Sequence, residues 1–104
     1  MSSPILKEIE EIIDEPLDRA IVKALRAIVK ALINELRRKL SEYLLIDKAM
    51  KRKYGMSFEE FKAKNIVKKK NYSFEVESDY CDWELTIDGI KTIKEKIEKL
   101  ERLL

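Results

Sequence analysis

One stretch of the sequence decides the fold: Lys53-Tyr54-Gly55-Met56-Ser57-Phe58-Glu59-Glu60-Phe61. It contains the signal that ends one helix and the signal that starts the next. Gly55 suits the left-handed residue that follows a helix C-terminus, because glycine reaches positive φ without a Cβ clash. Ser57 suits the N-cap of the following helix, and Glu60, three residues later, completes a capping box. The stretch therefore predicts one helix that ends before residue 55 and a short second helix over 57–64.

The segment upstream of this stretch has the pattern of a long helix. Residues 17–53 contain neither proline nor glycine, and apolar residues recur in a seven-residue register. Pro16 lacks the amide that would continue a helix from upstream, so a short helix over 4–14 should end in a break or a sharp kink. Core or oligomer-seam positions on the long helix are Val22, Leu25, Val29, Leu32, Leu36 and Tyr43.

The segment downstream divides into a connector and a last helix. Residues 65–73 have no clear helical period and predict a connector, with an extended piece possible there. The seven-residue register returns over 74–104 and places Ile90 and Ile97 in the seam. Gly89 interrupts this helix at a cost of about 1 kcal/mol relative to alanine and marks a possible bend.

These elements predict an all-α fold in a single helical domain, 1–104: an elongated antiparallel helical hairpin or coiled-coil bundle. Residues 1–72 carry 17 Lys and Arg against 11 Asp and Glu, whereas residues 73–104 carry 5 against 9. The two parts therefore attract each other, which favours antiparallel packing of the long helices. The pattern leaves open whether the helices pair within a chain or between chains. We expect a homo-oligomer, with a dimer favoured over a tetramer.

The composition also restricts the class of function. The chain has no histidine, no glycine-rich phosphate loop and no readable pairing of nucleophile and base, so we expect a non-enzymatic protein without cofactor or metal. One cysteine excludes an intramolecular disulfide, and no secretory signal or membrane-spanning apolar run is present. We therefore expect a cytoplasmic location. The abundance of lysine, isoleucine and glutamate is typical of heat-adapted organisms.

An acidic and aromatic stretch at residues 74–84 is the strongest candidate for a binding site. The carboxylates could simply complement the dipole of a helix start while the aromatic rings pack inside. Alternatively, the stretch forms a surface that binds a basic protein partner, since Tyr and Trp are enriched at interface hot spots. The candidate partner-binding residues are Phe74, Glu77, Asp79, Tyr80, Asp82, Trp83 and Glu84.

A basic face on the long helix is a second candidate. It lies mainly opposite the apolar stripe and could meet the phosphates of a nucleic acid. A charged helix face is more often only solvated, and the acidic C-terminal part of the chain can neutralise this one. Nucleic-acid binding therefore stays open. The candidate contacts are Lys23, Lys30, Arg37 and Arg38.

Two of these motifs together resemble a family of small archaeal helical proteins that are thought to be antitoxin components of toxin–antitoxin pairs. The first is YGMSFEEF at residues 54–61, and the second is DYxxWE at residues 79–84. The resemblance covers roughly residues 50–100. It implies an inhibitor that covers the basic active-site groove of a toxin, such as a ribonuclease, with Tyr80 and Trp83 as anchors. The alternative is a self-associating coiled-coil scaffold.

Overall fold

The computed structural model describes residues 7–8, 11–12 and 16–104. From residue 16 onward, four helices follow one another: α1 (Pro16–Tyr54), α2 (Phe58–Ala63), α3 (Ile66–Lys69) and α4 (Phe74–Glu101). Residues 7–8 and 11–12 are helical and exposed, and the remainder of the first predicted helix, 4–14, lies outside the described residues. The described residues include no β-strand. No helix in this part of the chain has the length and apolar character needed to cross a bilayer.

The boundary between α1 and α2 follows the local signals. Gly55 has a φ of 69° and its amide donates to the Lys51 carbonyl at 2.7 Å, which closes the end of α1. The Ser57 side chain accepts a hydrogen bond from the Glu60 amide at 3.2 Å. The reciprocal half of the predicted capping box does not form within the described structure, because the Glu60 carboxylate lies 3.7 Å from the Lys64 ammonium instead.

The predicted connector over 65–73 contains the one-turn helix α3. Left-handed residues bound this turn, with Asn65 at a φ of 50° and Asn71 and Tyr72 at 54° and 52°. Asparagine visits this region at little cost, whereas a tyrosine there costs about 1–2 kcal/mol. A single turn is too short to show a helical period, so the sequence pattern indicates only a connector. Ser73 then caps α4, since its Oγ accepts the Val76 amide at 3.3 Å.

The described residues of Met1–Lys39 form one compact unit with Ile93–Leu104, and Leu40–Thr92 forms a second. In the first unit, Arg26 Nη1 donates to the carbonyl of Leu104 at 3.0 Å, and Arg37 pairs with Glu101 at 2.8 Å. Val22, Ile33, Ile93 and Ile97 are its buried apolar residues. The N-terminal half of α1 is thus paired with the C-terminal end of α4.

In the second unit, the later half of α1 pairs with the earlier half of α4. Tyr43 lies against Gly89, Asp47 against Trp83, and Tyr54 against Asp79. As the residue number rises on α1 it falls on α4, so the two helices are antiparallel. The predicted all-α helical hairpin is confirmed, and its helices pair within one chain.

The predicted seam divides into two sets. Val22 and Ile97 are buried, and Val29, Leu36, Tyr43 and Ile90 are half-buried. Leu25 and Leu32 are instead 40% and 49% exposed. Ile33 takes the inward position that the seven-residue register gave to Leu32, because an α-helix with 3.6 residues per turn drifts away from a strict seven-residue repeat. Leu25 and Leu32 therefore do not belong to the seam within the chain.

Gly89 does not end or divide α4, which runs through it from Phe74 to Glu101. A Cβ at this position would lie 2.6 Å from Cε2 and 3.0 Å from Cδ2 of Tyr43. The missing side chain therefore allows the Tyr43 ring to lie directly on the α4 backbone. This contact explains a glycine in a helix interior better than the predicted bend does.

Gly89→Ala should lower the free energy of unfolding by about 1 kcal/mol, because the steric cost of displacing the Tyr43 ring exceeds the gain in helix propensity. In a Tyr43→Ala background, the same change should raise it by about 1 kcal/mol, since only the propensity gain is left. Urea unfolding of the four variants of this cycle measures both values. An equal effect of Gly89→Ala in the two backgrounds would contradict the contact.

Candidate functional site

A cluster of aromatic rings joins three helices in the second unit. Trp83 on α4 is completely buried, and Phe58 and Phe61 on α2 and Val76 on α4 are buried beside it. The Trp83 ring centroid lies 5.2 Å from that of Phe61, 5.3 Å from that of Phe58 and 6.0 Å from that of Tyr54 on α1. Edge-on and tilted pairs at these separations are favourable beyond their area burial. This cluster fixes where α4 begins relative to α1 and α2.

The burial of Trp83 corrects one predicted role. We predicted Trp83 as an anchor for a partner, but its side chain is enclosed by its own chain and is not available on the surface. The indole Nε1 donates a hydrogen bond to Asp47 Oδ1 at 2.9 Å, and Lys51 lies 3.1 Å from the other carboxylate oxygen. Asp47 itself is only 8% exposed. Sequence reasoning missed Asp47, although it lies one turn from Tyr43 on the inward face of α1.

Asp79 is half-buried in the second unit. It accepts hydrogen bonds from the Lys53 ammonium, at 2.6 Å, and from the Tyr54 hydroxyl. Glu75 also lies 2.6 Å from Lys53. Burial acts to raise the pKa of Asp79, but the bonds from Lys53 and Tyr54 outweigh it and lower this pKa. Burial and the bond to Asp79 raise the pKa of Tyr54 to about 12. Asp79 thus ties α4 to the end of α1.

Tyr80 is half-buried and lies at the edge of the cluster. Its ring centroid is 5.6 Å from that of Phe58 and 6.1 Å from that of Phe61. Burial and the neighbouring Glu84 carboxylate raise the pKa of its hydroxyl. Tyr80 therefore has one side in the cluster and leaves part of the ring accessible.

The opposite side of the same stretch is exposed. Phe74 is 87% exposed and Leu85 is 70% exposed, and Cys81 lies between them on α4. The spacing of 74, 81 and 85 places these three side chains on one side of the helix. Glu77 and Asp82 are exposed beside them. We name this set, Phe74, Glu77, Cys81, Asp82 and Leu85, the outer face of α4.

A groove of about 820 Å³ adjoins the outer face of α4. Half of its lining residues are aromatic or aliphatic, and one lysine from α2 and one from α3 also line it. Glu77 and Cys81 belong both to the groove and to the outer face. Its lining residues are Phe61, Lys62, Asn65, Ile66, Val67, Lys68, Tyr72, Glu77, Tyr80 and Cys81.

The structure thus separates the seven predicted partner-binding residues. Phe74, Glu77 and Asp82 are exposed, Tyr80 and Glu84 are half-buried, and Asp79 and Trp83 serve the packing of the chain itself. Sequence reasoning missed Leu85, Cys81 and the groove. The spacing of Phe74, Cys81 and Leu85 was a readable signal, whereas the α3 wall of the groove was not.

The four predicted nucleic-acid contacts on α1 are all exposed. Arg37 pairs with Glu101 at 2.8 Å, and Arg38 Nε donates to Glu35 at 3.2 Å. Lys23 and Lys30 are exposed on the same helix. Two of the four predicted contacts, Arg37 and Arg38, therefore already form ion pairs with carboxylates of the same chain.

Trp83→Phe should lower the free energy of unfolding by about 2–4 kcal/mol, because the smaller ring leaves space and Asp47 loses the hydrogen bond from the indole. Phe74→Ala removes an exposed ring from the same stretch and should change it by less than about 0.5 kcal/mol. Urea unfolding followed by circular dichroism compares the two. Equal losses would contradict the division of the stretch into a buried and an exposed side.

Tyr54 should make stability fall at high pH. Its pKa is raised in the folded chain to about 12, against about 10 when unfolded. Between these values the folded state holds the proton that the unfolded state has lost, so stability decreases as pH rises from about 10 to about 12. Tyr54→Phe should abolish this part of the decrease, and Tyr72→Phe, at an exposed tyrosine, should retain it. Thermal unfolding across this pH range measures the effect, and the same slope in all three proteins would exclude Tyr54 as its source.

Searches against models of protein families, curated proteins and solved structures found nothing that matches this chain. The resemblance to archaeal antitoxins at residues 54–61 and 79–84 therefore stays a prediction. The outer face of α4 and the groove beside it are the candidate binding surface.

Proposed function

We propose that the chain is a non-enzymatic protein-interaction module that binds a partner with a basic surface through the outer face of α4 and the adjoining groove. One observation carries this proposal. Phe74 and Leu85 are large apolar side chains left 87% and 70% exposed, with the carboxylates of Glu77 and Asp82 beside them. Apolar anchors bordered by charge of one sign are typical of a surface that selects a partner of opposite charge.

The helix that presents these groups is held rigidly. Val76, Asp79 and Trp83 lie on the inward side of the same stretch of α4. The aromatic cluster and hydrogen bonds to α1 fix them in place. A partner therefore meets side chains on a preorganised backbone and need not order the segment when it binds, which lowers the entropic cost of association.

The two anchors alone do not suffice for a stable complex. Full burial of a Phe or Leu side chain contributes about 1.5–3 kcal/mol, whereas association costs an estimated 4–15 kcal/mol. The groove supplies the missing contact area, because its apolar wall can receive a side chain from the partner. Lys62 and Lys68 also line the groove and would repel cations, so the partner's Arg and Lys side chains should lie over α4, near Glu77 and Asp82.

The resemblance adds a biological role to this surface. An antitoxin-like inhibitor would cover the basic groove of a toxin and pair its cations with Glu77, Asp82 and Glu84. In this form of the proposal Phe74 and Leu85 replace Trp83 as anchors, and Tyr80 contributes the accessible part of its ring. Both proteins would act in the cytoplasm. Of the alternatives, nucleic-acid binding is less favoured because Arg37 and Arg38 already pair with Glu101 and Glu35.

Co-expression with the protein encoded by the neighbouring gene, followed by isothermal titration of the purified pair, tests the proposal. Asp82→Lys should weaken binding at least about 10-fold, or about 1.4 kcal/mol, because it places a cation where the partner is basic. Phe74→Ala should weaken it by a similar factor.

Two matched variants serve as controls. Glu95→Lys makes the same charge change at an exposed site on α4 outside the outer face, and Leu45→Ala removes a side chain that is 66% exposed on α1. Both should bind within about twofold of the wild-type value. Unchanged affinity of Asp82→Lys and Phe74→Ala would overturn the assigned surface, and a neighbour that does not bind would overturn the inhibitor role.

A further inference from the structure

A second apolar face lies on the N-terminal half of α1. Leu17, Ile21, Leu25, Ile28 and Leu32 are 72%, 52%, 40%, 57% and 49% exposed. We name these five residues the α1 stripe. They lie within the first unit but do not belong to its core, to which α1 contributes the buried Val22 and Ile33. A contiguous apolar strip of this kind on a soluble protein marks a contact surface.

Four of the five residues of the α1 stripe have a spacing that is the same when it is read in either direction, and Leu25 would meet Ala24 of the second copy. Large residues stand at 17, 21, 28 and 32, and the centre of this set falls between Ala24 and Leu25. When a second copy of the helix lies antiparallel about that centre, Leu17 meets Leu32 of the second copy and Ile21 meets its Ile28. An isologous two-fold contact requires this self-complementarity. Leu17, Ile21, Ile28 and Leu32 meet this requirement.

The residues that border the stripe permit close approach. Ala20, Ala24, Ala27 and Ala31 lie along one edge of it and are exposed. Small side chains at a helix crossing allow the two axes to come to the short end of the usual 8–10 Å range. The stripe ends where Glu35 and Lys39 take the next positions on the same face.

The charges of α1 do not oppose a second copy. Arg19, Lys23, Arg26 and Lys30 project from the side of the helix roughly opposite the stripe, given 100° of rotation per residue. Like charges of two copies therefore stay apart in the paired arrangement. No lysine or arginine borders the stripe between residues 17 and 32, whereas a helix that lies on an anionic membrane surface needs such residues at the edge of its apolar face.

We infer that the α1 stripe is the interface of an antiparallel homodimer. The stripe extends over about 22 Å of helix, and exposed patches of this kind cover about 300–600 Å². A standard stable interface buries about 800 Å² per partner. The dimer should therefore dissociate on dilution, with a Kd in the micromolar range. The α1 stripe shares no residue with the outer face of α4, so this inference stands apart from the proposed function.

Sedimentation velocity of the full chain over a concentration series tests the dimer. The wild-type protein should shift from monomer to dimer as its concentration rises. Ile21→Glu with Ile28→Glu should remain monomeric, because each glutamate would face a glutamate of the second copy. Leu44→Glu with Leu45→Glu makes the same change at side chains that are 43% and 66% exposed, and should dimerise like the wild type. Helical circular dichroism and the fluorescence of Trp83 confirm that each variant is folded.

A charge-swap experiment distinguishes this interface from any other. Ile21→Lys with Ile28→Lys should also be monomeric alone, but an equimolar mixture with the double-glutamate variant should restore a dimer.

In a Cys81→Ser background, Leu25→Cys should form a disulfide between chains under oxidation, because residue 25 lies near the two-fold centre. Leu17→Cys should form none, because residue 17 of one copy faces residue 32 of the other.

Four results would overturn the inference. The first is a wild-type protein that stays monomeric up to about 1 mM. The second is a double-glutamate variant that still dimerises, and the third is a mixture of charge-swap variants that stays monomeric. The fourth is equal cross-linking at residues 17 and 25, which would indicate a parallel arrangement. A monomer that instead binds anionic phospholipid vesicles through the stripe would assign this face to a membrane surface.

Discussion

The burial of Trp83 is the constraint on which the second unit depends. A tryptophan ring without solvent exposure must place its indole N–H on an acceptor, since an unsatisfied buried donor costs about 1–3 kcal/mol. Asp47 provides that acceptor from α1, and Lys51 compensates the charge of Asp47. The ring also contacts Tyr54 on α1 and Phe58 and Phe61 on α2. One side chain thus fixes three helices relative to each other.

The same constraint explains how a single stretch of α4 has two roles. Once Trp83 is directed inward, helical geometry directs Val76, Asp79 and Tyr80 toward α1 and α2 as well. It also directs Phe74, Cys81 and Leu85 to the opposite side. The acidic residues of the stretch are divided in the same way, with Asp79 inside the network of Lys53 and Tyr54 and with Glu77 and Asp82 in solvent. The surface proposed for a partner is therefore a consequence of the packing behind it.

Much of the fold could be read from the sequence because its signals are local. The glycine at residue 55 and the serine at residue 57 place the ends of α1 and α2 correctly, and the absence of proline and glycine over 17–53 predicts α1. The pairing partners are less readable, since Asp47 is one acid among many and only the folded chain brings it to Trp83. α3 is a single turn held between left-handed residues, so it leaves no periodic signal. The direction of Trp83 was misjudged because an aromatic residue among acids fits an interface and a capped core equally well.

The most direct test of this account uses the fact that Trp83 is the only tryptophan of the chain. Acrylamide quenching of its fluorescence, measured on the isolated protein at low concentration, reports its exposure without any partner. We expect blue-shifted emission with strong protection from quenching, and Asp47→Ala should reduce that protection. Emission and quenching like those of free tryptophan in the folded protein would contradict the aromatic cluster and every assignment that depends on it.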